Sequence, residues 1–205
     1  MRRWTFELLM MGLALLSAGC LHLSRTGTTP FEYEPISVRH GETVPRSVGF
    51  NILIDNRPRG DRVRTRNIEN VPEKVTAKLA EDLQKLQIFK AVHFPATEKD
   101  DVIITGTIKR FSWKAYENPL WNIPLVDVLK ITGMPLGLAS GVVDIRLQVK
   151  DGKTGASLGT AKALSRMRSV FNLYDLKPDG SGLELGESFR SAEDQLSEQV
   201  VSKFR

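Results

Sequence analysis

Cysteine is nearly absent from this chain of 205 residues; Cys20 is the only one. No disulfide can form within the chain, so the oxidising-compartment device of stapling is not used and the fold must rest on a buried core. Histidine is scarce as well. His22, His40 and His93 show no metal-ligand spacing, so no metal is expected. No Ser, Asp or Glu stands in a recognisable hydrolase motif, and the expectation is a protein that is not an enzyme and carries no cofactor. The stretch Gly152-Lys153-Thr154-Gly155 resembles a phosphate loop only superficially. Leu147 stands where the required glycine would be, and a strand pattern follows instead of a helix. No apolar run reaches the roughly 20 residues of a membrane-spanning helix, and there is no internal repeat. The formal charge of +5 is too mild to predict a nucleic-acid partner. It permits binding to anionic lipid or polysaccharide without demanding it.

What is present begins at the N-terminus. Arg2 and Arg3 supply a positive start, and Leu8–Leu16 is an unbroken apolar run. Ser17, Ala18 and Gly19 are small, and Cys20 follows directly. A basic start, a short apolar stretch and a small-residue cleavage site make a secretory signal. With the cysteine in place, Leu16-Ser17-Ala18-Gly19-Cys20 resembles the lipobox of bacterial lipoproteins. That resemblance implies cleavage before Cys20, lipidation of its sulfur and stable membrane anchoring, since each buried methylene contributes about 0.8 kcal/mol. Leu21, rather than Asp, follows the cysteine. By the same resemblance this points to the outer membrane, with the protein facing the periplasm. Residues 1–19 are therefore expected to be a signal peptide, leaving 186 residues with a charge of about +4. That length suits one domain plus a tail.

Residues 20–46 read as the lipidated N-terminus and a tether, mixing Gly, Thr, Ser and Pro without a sustained period. As a flexible coil, some 25 residues span on the order of 25–30 Å. Residues 47–205 are expected to form one domain. Ser47–Ile54 reads as a strand with Val48, Phe50, Ile52 and Ile54 on one face, followed by a long polar loop to Asn70. Asn70 as N-cap and Pro72 in the first turn open a helix. Val71, Val75, Leu79, Leu83 and Leu86 form its apolar stripe, with Lys74, Lys78, Asp82 and Lys85 elsewhere around it. Ile88–Phe94 is a short strand. Val102–Tyr116 is a long one whose apolar face shifts from even to odd positions, which predicts a bulge near Lys109. Val143, Ile145, Leu147 and Val149 alternate with Asp144, Arg146, Gln148 and Lys150. Asp151–Gly155 is a hairpin turn, and Ser157–Val170 returns as a strand. Residues 175–186 read as a loop. A helix from about Glu187 carries Phe189, Ala192, Leu196, Val200 and Phe204 on one stripe. The predicted class is α+β: a mainly antiparallel sheet with two helices on one face, in the order β-α-β-β-(insert)-β-β-α.

Two segments are candidates for binding. The insert 118–142 has only two charges, Asp127 and Lys130. Pro124 opens a helix of about nine residues that Gly133 and Pro135 end. An insertion this apolar must be covered. Either it folds into the core, or Leu120, Trp121, Ile123 and Met134, with Leu125 beside them, form a docking surface for a partner or lipid. The second segment, 57–66, holds Arg57, Arg59, Arg62, Arg64 and Arg66 against one aspartate. It is either a solvated loop or a site for phosphates and carboxylates, which suit arginine forks. Its Arg59-Gly60-Asp61 adhesion tripeptide is read as a chance match.

Within residues 47–205, Asp101–Ile108 (DVIITGTI) resembles a strand of small envelope lipoproteins. Strand 143–150 with its Asp-Gly-Lys-Thr-Gly turn resembles their strand-D-x-x-T-G-strand hairpin. These are curli-secretion-lipoprotein-like and TolB-amino-terminal-like α/β domains. The resemblance implies an accessory of envelope assembly, secretion or transport, with an envelope protein partner or a homo-oligomer. It transfers no functional residue beyond Cys20 of the lipobox. The expected function is a non-enzymatic, membrane-anchored accessory lipoprotein; the alternative is a binder or carrier of lipid or lipopolysaccharide.

Overall fold

Strict alternation in Gly137–Asp151 sets the architecture, because it commits one face of a central strand to the core and the other to polar contacts. The computed structural model describes residues 43–66, 68–117, 135, 137–171 and 183–204. Along them run β1 (Val44–Phe50), β2 (Ile54–Asp55), α1 (Arg59–Arg64), α2 (Val71–Lys85), β3 (Phe89–His93), β4 (Val102–Glu117), β5 (Gly137–Asp151), β6 (Ser157–Phe171) and α3 (Leu183–Val201). The main path of the sheet is β3-β1-β4-β5-β6, with β2 paired to β4. β4–β5 and β5–β6 are long antiparallel ladders, whereas β1–β3, β1–β4 and β2–β4 are short and parallel. The fold is the expected α+β class, with β2 and α1 added to the expected order.

The bulge expected near Lys109 lies between Ile108 and Arg110. It turns the core side of β4 from Ile104 and Ile108 to Phe111 and Trp113. α2 and α3 cover this side together, and their stripes join the sheet in one core. Phe111 meets Phe189 of α3 edge to face at 6.3 Å between centroids. Gly141 lets α3 start directly on β5, because an added Cβ would stand 2.1 Å from the Glu184 carbonyl oxygen. Trp113 Nε1 donates to Glu184 Oε2 at 2.9 Å, fixing the same helix end to β4.

Several boundaries differ from expectation. β1 starts at Val44, inside the segment expected as tether, since its N–H bonds the Ile88 carbonyl beside β3. β1 also stops at Phe50. Residues 51–53 leave the strand pattern, so the alternation changes phase: Leu53 enters the core and Ile52 and Ile54 face out. The polar loop after β2 contains α1. Residues 137–142 of the expected insert belong to β5, paired with β4 and β6 throughout. The rest of the insert but Pro135 lies outside the described residues. α3 begins at Leu183, inside the expected loop. Asp82, off the apolar stripe of α2, is nevertheless buried, beside Glu193 of α3.

Candidate binding face

The side of the sheet opposite α2 and α3 holds the candidate site, and cross-strand register says which residues meet there. Partners across a ladder share a face and stand about 4.5–5.5 Å apart at Cβ. One row runs Ile54–Thr107–Arg146–Lys162 across β2, β4, β5 and β6. The row beside it is Thr105–Gln148–Thr160. With Asn51 and Ile52 these residues line a shallow groove of about 510 Å³. Ile52 and Ile54 are 54% and 67% exposed, an apolar lip beside two cations. Arg146 and Lys162 are like charges placed directly opposite, which destabilises a sheet unless something answers them. Asp144 Oδ1 answers only loosely, 3.9 Å from Arg146 Nε. The main chain at Lys162 is fixed: its N–H donates to Gln199 Oε1 at 2.9 Å, and Gln199 Nε2 donates to its carbonyl at 2.8 Å.

The opposite end of the same face differs. Tyr116–Leu138–Val170 forms an apolar row across β4, β5 and β6, with Leu138 53% and Val170 57% exposed. Lys114–Ser140–Arg168 is the next row. Between the two ends the face is closed at Ser112 and Val142, which are paired and buried. At the β1 end, residues 94–101 cross this face over Gly49, where a Cβ would meet Asp100 Oδ2 at 2.4 Å.

The arginine segment is mostly occupied with itself. Arg57 is buried and forks onto Asp55, Nε to Oδ1 at 2.8 Å and Nη2 to Oδ2 at 2.9 Å. This fork is the main cause of a lowered Asp55 pKa. Arg57 Nη1 also donates to Thr65 Oγ1 at 2.7 Å. Arg62 Nε donates to the Arg57 carbonyl at 3.0 Å. Asp61, buried, accepts from Arg64 Nη1 at 3.3 Å and from Arg110 Nε at 3.2 Å. The adhesion tripeptide is thus not presented. Arg59 and Arg66 are exposed and make no ion pair with the described residues. Cys20, Leu120, Trp121 and Leu125 lie outside the described residues.

Among the described residues there is one acid–imidazole pair. His93 Nδ1 and Asp100 Oδ1 are 2.5 Å apart, and Thr97 donates its N–H and Oγ1–H to Asp100 Oδ2. Burial works against the Asp100 charge. The Thr97 and His93 hydrogen bonds outweigh it and leave the pKa lowered. Among the described residues no group of three or more His, Cys, Asp or Glu is placed to hold a metal ion, and no helix is long and apolar enough to cross a membrane.

Of the segment expected as a solvated loop or an anion site, Arg59, Arg62 and Arg66 are exposed and Arg57 is buried. Arg146 and Lys162 were visible as the polar phase of β5 and β6. Their opposition was not, because a register irregularity at Val149/Lys150 sets which residues face each other.

No protein-family model and no curated protein matches the chain. Among solved structures, the Xanthomonas campestris protein XCC0632, of family DUF330, superposes with a TM-score of 0.51 at 4% identity, covering 83% of this chain and 91% of that one. At that identity the likeness is one of fold. A neuraminyllactose-binding hemagglutinin homolog from Helicobacter pylori gives 0.48 at 7% identity, over 84% and 91% of the two chains. Lipoprotein GNA1162 from Neisseria meningitidis gives 0.37 at 14%, over 61% and 85%.

Proposed function

We propose that this chain is a non-enzymatic envelope lipoprotein, anchored through acylated Cys20 in the outer membrane and facing the periplasm, that serves an assembly, secretion or transport system as an accessory subunit. The observation that carries the reading is the Tyr116–Leu138–Val170 row, an exposed apolar strip at one end of an ordered sheet. Exposed apolar rows beside polar ones mark protein contact surfaces. The occupant is an envelope protein or a second copy of the chain. Native mass spectrometry of the acylated protein, extracted in detergent, tests this. A stoichiometric second protein or a closed homo-oligomer that Leu138→Glu/Val170→Glu disperses supports the role. A monomer under every extraction condition refutes it.

The second reading, a binder or carrier of lipid or lipopolysaccharide, is favoured by the groove, where apolar and cationic side chains adjoin. Lipid that stays with the purified protein would support it.

A further inference from the structure

We infer that the groove on the second sheet face is an anion site for the phosphate-bearing headgroup of an anionic lipid. Arg146 and Lys162 would hold the phosphate, and Ile52 and Ile54 would meet the start of the acyl region. This deepens the lipid-binding reading and is independent of the accessory role.

Three features of the site point there. First, Arg146 and Lys162 are directly opposed, and a single phosphate can bridge Cβ positions about 4.5–5.5 Å apart. The guanidinium offers a planar fork and the ammonium a point charge, a pairing suited to phosphate oxygens. Second, both cations stand on paired strands. The Gln199 clamp on the Lys162 main chain holds one of them in place before any ligand arrives. Third, the lip of the groove is apolar. Ile54 belongs to the same cross-strand row as the two cations, and Thr107 lies between them with a hydroxyl available for phosphate or glycerol oxygens. A free inorganic anion would have no use for Ile52 and Ile54, exposed side by side with a polar floor. An uncharged acyl chain would have no use for the cations.

The wider distribution of charge separates this site from a generally basic surface. Arg166 stands in the Ser112–Val142 row, and Lys114 and Arg168 in the row beyond it; all three share the face but lie outside the groove. Arg110, nearer, is engaged by Asp61. A lipid held by the groove will therefore depend on Arg146 and Lys162 and not on the cations at the other end.

The test uses the full acylated chain in a non-ionic detergent, titrated with phosphatidylglycerol or phosphatidylcholine and followed by native mass spectrometry. The expected result is one retained phosphatidylglycerol, no retained phosphatidylcholine, and at least a tenfold loss of retention in Arg146→Gln/Lys162→Gln. Arg166→Gln/Arg168→Gln keeps wild-type retention. Ile52→Ser/Ile54→Ser weakens it several-fold, and all variants keep the wild-type melting temperature within a few degrees. Phosphatidylglycerol retained equally by the Arg146/Lys162 variant overturns the groove while leaving lipid binding elsewhere intact. Equal loss in the Arg166/Arg168 variant overturns the groove in favour of diffuse charge attraction. Inorganic phosphate that displaces the lipid at equal concentration overturns the lipid assignment. If no lipid is retained by any form, the groove and the lipid-binding reading fall together.

Discussion

Replacing Glu193 with glutamine will stabilise the protein at neutral pH and leave it nearly unchanged near pH 4.5. Glu193 lies on α3 where it meets α2, is 1% exposed, and its carboxyl stands beside that of Asp82. Burial, and next the nearby Asp82 carboxylate, push its pKa from 4.5 up to about 10; Lys85 only partly opposes this. The folded protein thus keeps a proton on Glu193 that the unfolded chain releases above its ordinary value. A carboxyl whose folded pKa is raised loses stability as pH rises, between about 4.5 and about 10. Each unit is worth about 1.4 kcal/mol, so reaching pH 7 costs about 3 kcal/mol. Glutamine keeps the volume and removes the proton linkage. Urea unfolding at pH 4.5, 6, 7 and 8.5, followed by circular dichroism, measures the difference between Glu193→Gln and the parent. It is expected to grow steadily from near zero to about 3 kcal/mol at pH 7. A difference that stays constant across this range would refute the assignment of a neutral buried acid.

Arg57→Ala will destabilise the fold by about 2 kcal/mol or more, because it removes the guanidinium fork on Asp55 and the donor to Thr65. Arg59→Ala and Arg66→Ala, both exposed, will stay within about 0.5 kcal/mol by the same thermal or urea assay. A similar loss in all three would contradict the division of this segment. Gly141→Ala will cost about 1–3 kcal/mol by forcing the start of α3 off β5. Hydrogen exchange should show faster opening at residues 183–189, and unchanged exchange there would count against the close approach. Trp121→Glu and Leu125→Glu are expected to leave the fold intact and abolish partner or membrane association, measured by co-purification from membranes. Unfolding of these variants would instead assign the insert to the core.

The elements that proved legible in the sequence are those whose pattern needs only local information. The stripe Val71–Leu86 folded as the expected helix because 3.6-residue spacing leaves it one way to bury its apolar side. The bulge in β4 showed as a change of parity in its own apolar residues. The burial of Asp82 was not legible there, because a carboxylate on an amphipathic helix normally faces water and only Glu193 of α3 on that flank buries it. Ile52 and Ile54 were misread for a related reason. Their spacing continues that of Val48 and Phe50, but residues 51–53 leave the strand pattern and shift the phase by one. A one-residue slip sends every following side chain to the other face. The arginine segment shows a different limit: composition counts charges but does not say which are paired, and Asp55 and Asp61 engage Arg57, Arg62 and Arg64.

The two ends of the sheet face stand at different distances from the expected tether. β1 begins at Val44, and Val48 pairs with Val102 at the start of β4. The groove row at Thr107 lies five residues along β4 from Val102, about 17 Å, whereas Tyr116 lies about 46 Å along. If Cys20 is acylated as proposed, a flexible tether spanning on the order of 25–30 Å would put the groove, about nine residues or 30 Å from Val44, nearer the lipid than the apolar row. On that proposal the apolar row would stand at the far side of the domain, away from the lipid. Cations and an apolar lip near the bilayer, with a second apolar surface projecting beyond it, suit a subunit that holds a lipid at one end and a protein at the other. Shortening the tether by ten residues tests this division. It should leave lipid retention in the groove intact and weaken engagement of the distal partner. The reverse pattern would place the apolar row, not the groove, against the membrane.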